Sequence, residues 1–358
     1  MIFDLIELQK LIDENYVVVQ KHPKADLWIY NYSQKTQYDS FWNDITLKCR
    51  GLILDKNYDV VARPFVKFFN LEQHQNHEIP TESFEVFEKL DGSLGILYWV
   101  DNKPYIATRG SFNSEQAIKA TEILHDRYAH TFDKLEKDKT YLFEIIYPEN
   151  RIVVDYHGKE ELILLAIIDN HTGNDITLQD IGFQVVKTYN GITDIAKLQE
   201  LEVDNAEGFV IKFKNNFRVK LKFTEYIRLH RIITGVSNIA IWEYLLLEKP
   251  LEQLLEKVPD EFYDWVKITQ QNLLAQFKII EDEVKESFKN CPYFVENDTK
   301  NGVKNDRKNR KEIALYFRTQ KYDSILFAML DNKNYAPKIW QYIRPVFAKP
   351  FKSVSDEE

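Results

Sequence analysis

Cysteine is scarce in this chain, which has Cys49 and Cys291 among its 358 residues. Two cysteines cannot build a disulfide framework or a four-cysteine zinc module, and such low usage is typical of a reducing compartment. Apolar runs are also short, and none approaches the roughly 20 residues of a membrane-spanning helix. The N-terminal segment MIFDLIE lacks the basic and apolar regions of a signal peptide. We therefore expect a cytoplasmic protein, in the host cytoplasm if the source is viral, with no membrane partner.

Two other signatures are missing. The chain has no Gly-x4-Gly-Lys-Ser/Thr stretch, which excludes a kinase or ATPase built on that phosphate-binding loop. The formal net charge is -9, so any surface that binds nucleic acid must be a local basic patch. Hydrophobic residues make up 44% of the sequence, which is enough for a globular protein, and the length allows two domains.

The hydrophobic pattern changes along the chain. Before about residue 225 it is mainly that of strands, and after it the spacing is helical. Strands are predicted at residues 27–32, 52–55, 105–111, 140–147, 151–156 and 162–169, and a hairpin at 207–213 and 217–222. Helices are predicted at residues 4–15, 114–127, 239–247, 251–258, 261–288, 311–320 and 324–330. This order predicts an α+β domain, residues 1–225, followed by an all-helical domain, residues 226–358.

The segment EKLDGS at residues 88–93 lies between two apolar-alternating runs, which predicts a strand, a tight turn and a strand. Gly92 allows the backbone to come close to a ligand. Lys89, at the mouth of the turn, can act as a nucleophile if its surroundings lower its pKa from about 10.4. Taken alone, the segment is more typical of a surface lysine before an Asp-Gly hairpin, so its polar neighbours decide the interpretation.

Several polar residues interrupt the apolar strands of the first domain: Tyr30, Arg50, Lys67, Lys89, Asp91, Arg109, Glu144, Glu207, Lys220 and Lys222. Charges on such strands are costly unless they meet partners. Cations that converge with a few carboxylates fit a nucleoside triphosphate and a divalent metal ion. Lys220 and Lys222 lie on one strand face and can reach the same phosphates, although a solvated strand face explains the pair equally well.

These residues carry a family resemblance. KLDG (89–92) resembles the KxDG motif of covalent nucleotidyltransferases, which include ATP-dependent DNA and RNA ligases and mRNA capping enzymes. FE (143–144), EGFV (207–210) and KLK (220–222) resemble their third, fourth and fifth motifs. The chain is more similar to the RNA ligase 1 family of T-even bacteriophages, in the segments YNY (30–32), CRG (49–51), KFFNL (67–71), GS (110–111), SEQA (114–117) and NRIV (150–153). The resemblance covers most of residues 28–230 and implies a nucleotidyltransferase domain with antiparallel β-sheets and flanking helices.

The resemblance implies an ATP-dependent RNA ligase whose Lys89 accepts AMP from ATP and passes it to an RNA 5′-phosphate, which a 3′-hydroxyl then attacks. The implied catalytic residues are Lys89, Asp91, Glu207, Lys220 and Lys222. The implied nucleotide-binding residues are Tyr30, Arg50, Lys67, Phe69, Gly92, Arg109, Glu144, Lys220 and Lys222. Glu207 would hold Mg²⁺ or Mn²⁺, and Glu144 would hold the ribose. Phe69 would stack on adenine, although one of the neighbours Phe68 and Phe69 must face the core. Arg109 replaces a lysine of the phage family, which keeps the charge but changes the geometry.

The resemblance implies RNA with 5′-phosphate and 3′-hydroxyl ends as substrate, with nicked tRNA as a candidate. The sequence has no recognisable kinase or phosphatase module, so a separate end-healing kinase/phosphatase would be the partner when a break leaves other ends. Residues 226–358 would be an RNA-specificity domain. Within it, six basic residues form either an RNA-backbone contact or a solvated polar loop: Lys300, Lys304, Arg307, Lys308, Arg310 and Lys311.

Two alternatives remain. An ATP-dependent DNA ligase or another polynucleotide adenylyltransferase shares the nucleotidyl-transfer core, but usually appends a small β-barrel where this chain is helical. A non-catalytic RNA-binding protein would be expected to have lost Lys89 or Glu207.

Overall fold

The computed structural model describes residues 2–234, 237–255, 263–294 and 307–346. The chain divides into two compact units, Met1–Ile233 and Thr234–Glu358. The predicted boundary after residue 225 falls inside the helix Thr224–Thr234, and the units separate near the end of that helix. None of the described helices combines the length and the apolar content that crossing a membrane requires.

Three sheets form the framework of the first unit. The first sheet has the order β1-β2-β3-β4: β1 (Val17–Lys21), β2 (Leu27–Tyr32), β3 (Arg50–Asp55) and β4 (Val60–Ala62). The second has the order β11-β10-β9-β7-β8: β7 (Ser93–Val100), β8 (Lys103–Ala107), β9 (Lys139–Ile146), β10 (Glu161–Asp169) and β11 (Asp175–Ile176). The third has the order β12-β6-β13-β14-β5: β5 (Phe69–Asn70), β6 (Phe84–Lys89), β12 (Thr188–Tyr189), β13 (Gly208–Phe213) and β14 (Arg218–Lys222). The paired strands are antiparallel except β14 and β5, which are parallel.

Helices flank these sheets and make up the described part of the second unit. In the first unit they are α1 (Leu5–Asp13), α2 (Gln34–Tyr38), α3 (Asp44–Lys48), α4 (Glu115–Arg127), α5 (Ile195–Gln199) and α6 (Thr224–Thr234). In the second they are α7 (Asn238–Leu246), α8 (Leu251–Leu255), α9 (Tyr263–Lys289), α10 (Arg307–Phe317), α11 (Asp323–Leu330) and α12 (Ala336–Tyr342). The predicted order, an α+β domain followed by a helical one, is confirmed in the described residues.

Most elements match the sequence pattern, but two predictions need correction. The strand predicted at residues 151–156 is absent from this described segment. Its backbone N–H groups at Val153 and Val154 donate to the Asp91 carboxylate, so a side chain takes the place of a neighbouring strand. The strand predicted at residues 105–111 ends at Ala107, and Ser111 instead closes a turn by accepting from the backbone of Thr108.

The third sheet has one apolar face and one polar face, because side chains alternate along its strands. The apolar face belongs to a buried core that includes Val86, Phe209, Ile211, Val219 and Leu221. On the other face, strand register aligns three cross-strand rows. The first row is Lys89, Gly208 and Lys222; the second is Phe87, Val210 and Lys220; the third is Glu85, Lys212 and Arg218.

Gly208 occupies the centre of the first row, where no larger residue fits. Its φ is +149°, and a Cβ there would lie 2.0 Å from the Leu221 carbonyl oxygen. Because that oxygen belongs to the paired strand β14, the clash cannot be relieved by a side-chain rotation. Glycine is thus required for β14 to come close to β13 next to Glu207.

We predict that Gly208→Ala lowers the free energy of unfolding by at least about 2 kcal/mol, because it combines backbone strain with a clash. Gly158→Ala is the matched control, since Gly158 has φ +75° but an added Cβ would meet nothing within 4 Å. It isolates the backbone cost, which is about 1 kcal/mol. Urea unfolding measures both, and equal losses would contradict the steric account.

Candidate active site

A cavity of about 230 Å³ lies over the polar face of the third sheet. Six of the predicted site residues line it: Arg50, Lys89, Gly92, Glu144, Lys220 and Lys222. Residues of all three rows contribute to its wall, and Phe65 and Phe68 add aromatic surface. The alternation of β14, in which residues 218, 220 and 222 are less buried than 219 and 221, confirms that Lys220 and Lys222 share one face.

Glu207 is the buried carboxylate of this site, with 3% of its surface exposed. Its Oε1 lies 2.6 Å from Nζ of Lys89 and 3.2 Å from Nζ of Lys222. Glu207 immediately precedes Gly208, which pairs with both lysines. The Glu207 carbonyl also accepts from the backbone N–H of Phe223 at 2.9 Å. Glu207 therefore orients Lys89 and can accept a proton from its amine.

Asp91 holds the loop that follows Lys89. One carboxylate oxygen accepts from the backbone N–H groups of Val153 and Val154, both at 2.8 Å. The other accepts from the Tyr226 hydroxyl at 2.8 Å. The Asp91 N–H donates to the Tyr156 hydroxyl at 2.7 Å. Since both oxygens serve protein donors, the geometry favours the orienting role among those predicted for Asp91.

Glu144 lies at the cavity wall beside Gly92. Burial raises the pKa of Glu144 to about 8; Lys89 opposes this rise, and the carboxylates of Glu207 and Asp91 add to it. Gly92 allows the close approach, because a Cβ there would lie 2.6 Å from the Ile145 carbonyl oxygen and 3.2 Å from Glu144. At neutral pH in the free protein, Glu144 is therefore mostly protonated and able to donate a hydrogen bond as well as accept one.

The structure places Lys67, Phe69 and Arg109 in an aromatic cluster outside the cavity wall. Nζ of Lys67 lies 5.4 Å from the Tyr32 ring centroid, 5.5 Å from that of Trp42 and 5.3 Å from that of Phe69. Arg109 donates to the Tyr32 hydroxyl at 2.8 Å. Tyr32 belongs to the first sheet and Phe69 to the third, so the cluster lies where these two sheets meet. The phosphate and adenine contacts of these residues stay predictions.

The structure also shows where the aromatic residues of the predicted site lie. Tyr30 is 5% exposed and lies in the core with Leu8, Leu52 and Leu54, where burial raises its pKa to about 12. Its predicted contact with a phosphate stays a prediction. Of the two adjacent phenylalanines, Phe68 lines the cavity, whereas Phe69 contacts Trp42 and His74. Phe68 is therefore the better placed to contact a base.

Four charged residues of the cavity wall were not predicted as site residues: Glu88, Asp175, Lys212 and Arg218. The sequence could have indicated Arg218, because it lies two residues before Lys220 and four before Lys222 on one strand. Its side chain is therefore on the same face as theirs. Lys212 follows from its pairing with Arg218 in the predicted hairpin. Asp175 had no signal, because it belongs to a strand of two residues.

The described part of the chain holds no preformed metal site of several side chains. Among the residues that the structure describes, no group of three or more His, Cys, Asp or Glu side chains is placed to hold an ion. Mg²⁺ commonly binds through one or two carboxylates together with substrate phosphates and water. Glu207 fits such a site once the phosphates of a substrate are present.

The predicted basic cluster of the second unit lies partly outside the described residues. Lys300 and Lys304 belong to a segment that lies outside the described residues. The side chains of Arg307 and Lys308 are not described either. Arg310 forms an ion pair with Asp331, and Lys311 is exposed. The RNA contact of this cluster stays a prediction.

Comparison with known proteins identifies the family. The RNA ligase family profile matches residues 48–226, which is half of the chain. The chain therefore belongs to the RNA ligase family, and the predicted membership is confirmed.

Two curated relatives are similar over parts of their length. A protein described as a bifunctional polynucleotide kinase/RNA ligase, from Autographa californica nuclear polyhedrosis virus, is 28% identical over 289 residues, covering 70% of this chain and 40% of that protein. A protein described as an RNA ligase, from Thermovibrio ammonificans, is 32% identical over 228 residues, covering 59% of each chain. The chain thus spans between 40% and 59% of the length of these relatives.

A solved structure described as an ATP-dependent DNA ligase from Aquifex aeolicus is similar in fold. The alignment covers 92% of this chain and 100% of the chain of that structure. The TM-score is 0.48 and the sequence identity 14%. That similarity is too distant to inform the chemistry.

We predict that Glu144 makes stability fall as pH rises. Its folded pKa, about 8, exceeds the ordinary value of 4.5, so its stabilising contribution is full below about pH 4.5 and is lost as pH rises through 8. Between pH 5 and 8, the free energy of unfolding of the wild type should decrease relative to Glu144→Gln by at least about 1 kcal/mol. Urea titrations without nucleotide or metal measure this, and a pH-independent difference would contradict it.

Proposed function

We propose that this protein is an ATP-dependent RNA ligase, which joins RNA 5′-phosphate and 3′-hydroxyl ends and converts ATP to AMP and diphosphate. The observation that carries the proposal is the Lys89–Glu207–Lys222 arrangement, at 2.6 and 3.2 Å, beside a cavity in a chain of the RNA ligase family. A lysine held by a buried carboxylate, with further cations nearby, suits nucleophilic attack on a phosphate.

In the first step, ATP lies in the cavity with its α-phosphate at Lys89. The Lys89 amine loses its extra proton, for which Glu207 is the nearest acceptor among the contacts above, and its lone pair attacks the α-phosphorus. A phosphorus–nitrogen bond forms, the bond from the α-phosphorus to the bridging oxygen breaks, and diphosphate leaves. Lys220, Lys222 and Arg50 balance the charge on the phosphates as the leaving group departs.

In the second step, a 5′-phosphate oxygen of RNA attacks the same phosphorus, so the phosphorus–nitrogen bond breaks and the RNA end carries AMP through a diphosphate linkage. In the third step, the 3′-hydroxyl of another end attacks the RNA phosphate, loses its proton and releases AMP. Glu144 contacts the ribose in this scheme, and Asp91 acts through the position of its loop.

A divalent ion, Mg²⁺ or Mn²⁺, would supply charge neutralisation at the phosphates. Glu207 would hold it together with phosphate oxygens.

The natural substrate is broken RNA, with nicked tRNA as one candidate. A separate kinase/phosphatase would prepare ends that lack the required termini. The proposal of a separate end-healing enzyme is supported by the name of the viral relative, which describes a polynucleotide kinase and an RNA ligase in one protein.

The decisive experiment is incubation with α-labelled ATP and Mg²⁺ or Mn²⁺, followed by a denaturing gel. Wild-type protein should retain label and transfer it to a 5′-phosphorylated RNA, and Lys89→Ala should lose at least about 100-fold of both activities. Lys103→Ala, a change at an exposed lysine, is the control. Transfer only to nicked DNA would favour a DNA ligase, and label retained by Lys89→Ala would contradict the mechanism.

The basic cluster gives a separate prediction about RNA. Replacing Lys304, Lys308 and Lys311 with Ala should weaken RNA sealing and reduce its salt dependence, because each lost phosphate contact lowers the salt slope by roughly one. Self-adenylylation should remain. An unchanged RNA affinity and salt slope would exclude this cluster as the RNA contact.

A further inference from the structure

The third row of the cavity wall forms a charge-balanced cluster with a residue from the second sheet. Oδ2 of Asp175, on β11, lies 3.3 Å from Nζ of Lys212 and also contacts Nη2 of Arg218. These side chains are between 11% and 19% exposed. Glu85, which is not part of the cavity wall, also contacts Lys212: its Oε2 lies 3.4 Å from Nζ of Lys212, and 66% of the Glu85 side chain is exposed. The reaction scheme above uses none of the four.

The charges of this cluster disfavour a phosphate. Two cations face two carboxylates, so their formal charges cancel, and a phosphate would meet the repulsion of Asp175. A neutral group that offers both donors and acceptors fits better. The polar edge of a nucleobase is such a group.

The cluster also lies where the base of a bound nucleotide would end. Lys89 and Glu85 are four residues apart on β6, which is roughly 13 Å along the strand. The second row, between them, presents the apolar surfaces of Phe87 and Val210 to the cavity. A nucleotide whose α-phosphate is at Lys89 therefore places its flat base over the second row and its outer edge at the third.

Asp175 is held in a fixed position for such a contact. Both cations contact its Oδ2, so neither ion pair uses Oδ1. Arg218 is fixed in turn, because it lies over the Phe65 ring at 4.7 Å and donates to the Asn216 carbonyl at 3.3 Å. The carboxylate is thus preorganised to accept one more hydrogen bond.

We propose that Asp175 selects adenine by accepting a hydrogen bond from its exocyclic amine, with Arg218 and Lys212 as positioning residues. The inference rests on the proposed function, since it places the base of the ATP used there. A 6-oxo purine presents an oxygen at the same position, which the carboxylate repels.

The test compares ATP with inosine triphosphate in self-nucleotidylation. Asp175→Asn should lower the ratio of kcat/KM for ATP over inosine triphosphate by about tenfold or more, because an amide can also donate to the oxygen. Glu85→Gln, which changes the same row outside the cavity wall, should leave the ratio unchanged. Equal losses for both nucleotides with Asp175→Asn would overturn the proposal and assign Asp175 a structural role.

Two further measurements keep the result decisive. If Asp175→Asn does not fold, the wild-type protein is assayed with purine riboside triphosphate, which lacks the amine, and the proposal requires about a tenfold loss in kcat/KM. Equilibrium binding of AMP and IMP needs no lysine chemistry. One outcome is that the wild-type protein retains no label and still binds AMP better than IMP. If Asp175→Asn then removes that preference, the ligase reaction is contradicted and base selection by Asp175 is retained. No preference in the wild type would overturn base selection alone.

Discussion

The site depends on one buried carboxylate that contacts two lysines. An unpaired ionised glutamate in this position would be costly, and the two ammonium groups, at 2.6 and 3.2 Å, offset that cost. The pairing fixes the amine of Lys89, because the positions of Lys89, Gly208 and Lys222 are set by strand register. Gly208 makes the arrangement possible, since it lets the backbone of β14 approach next to Glu207.

Around this centre, the carboxylates have different tasks because their surroundings differ. Asp91 is satisfied by backbone and tyrosine donors and so holds the loop after Lys89. Glu144 has lost much of its hydration, which keeps it protonated at neutral pH. Glu207 contacts the amines of Lys89 and Lys222. Residue type alone does not separate these roles, whereas burial and hydrogen bonding do.

Sequence reasoning succeeded where periodicity determines geometry. The predicted hairpin placed Lys220 and Lys222 on one face, and alternation is a local property of any strand. It failed where tertiary contacts override the pattern. Residues 151–156 have strand-forming side chains, but the Asp91 carboxylate satisfies their backbone instead.

The other features that the sequence did not predict depend on contacts between residues far apart in the chain. Whether Phe68 or Phe69 faced the cavity could not be read from two adjacent rings. Tyr30 interrupts its strand as a polar residue would, yet it packs in the core of the first sheet. Asp175 reaches the third sheet from a strand in another sheet, and the sequence contains no local trace of that contact.

The most direct measurement of the central claim is peptide mass mapping of the protein after incubation with ATP and a divalent metal ion. The account predicts AMP on Lys89 and on neither Lys220 nor Lys222, although all three line the same cavity. It also predicts that Glu207→Gln reduces this adduct without moving it. AMP attached to Lys220 or Lys222 in the wild type would contradict the account, because the Glu207 contact would then not select the nucleophile.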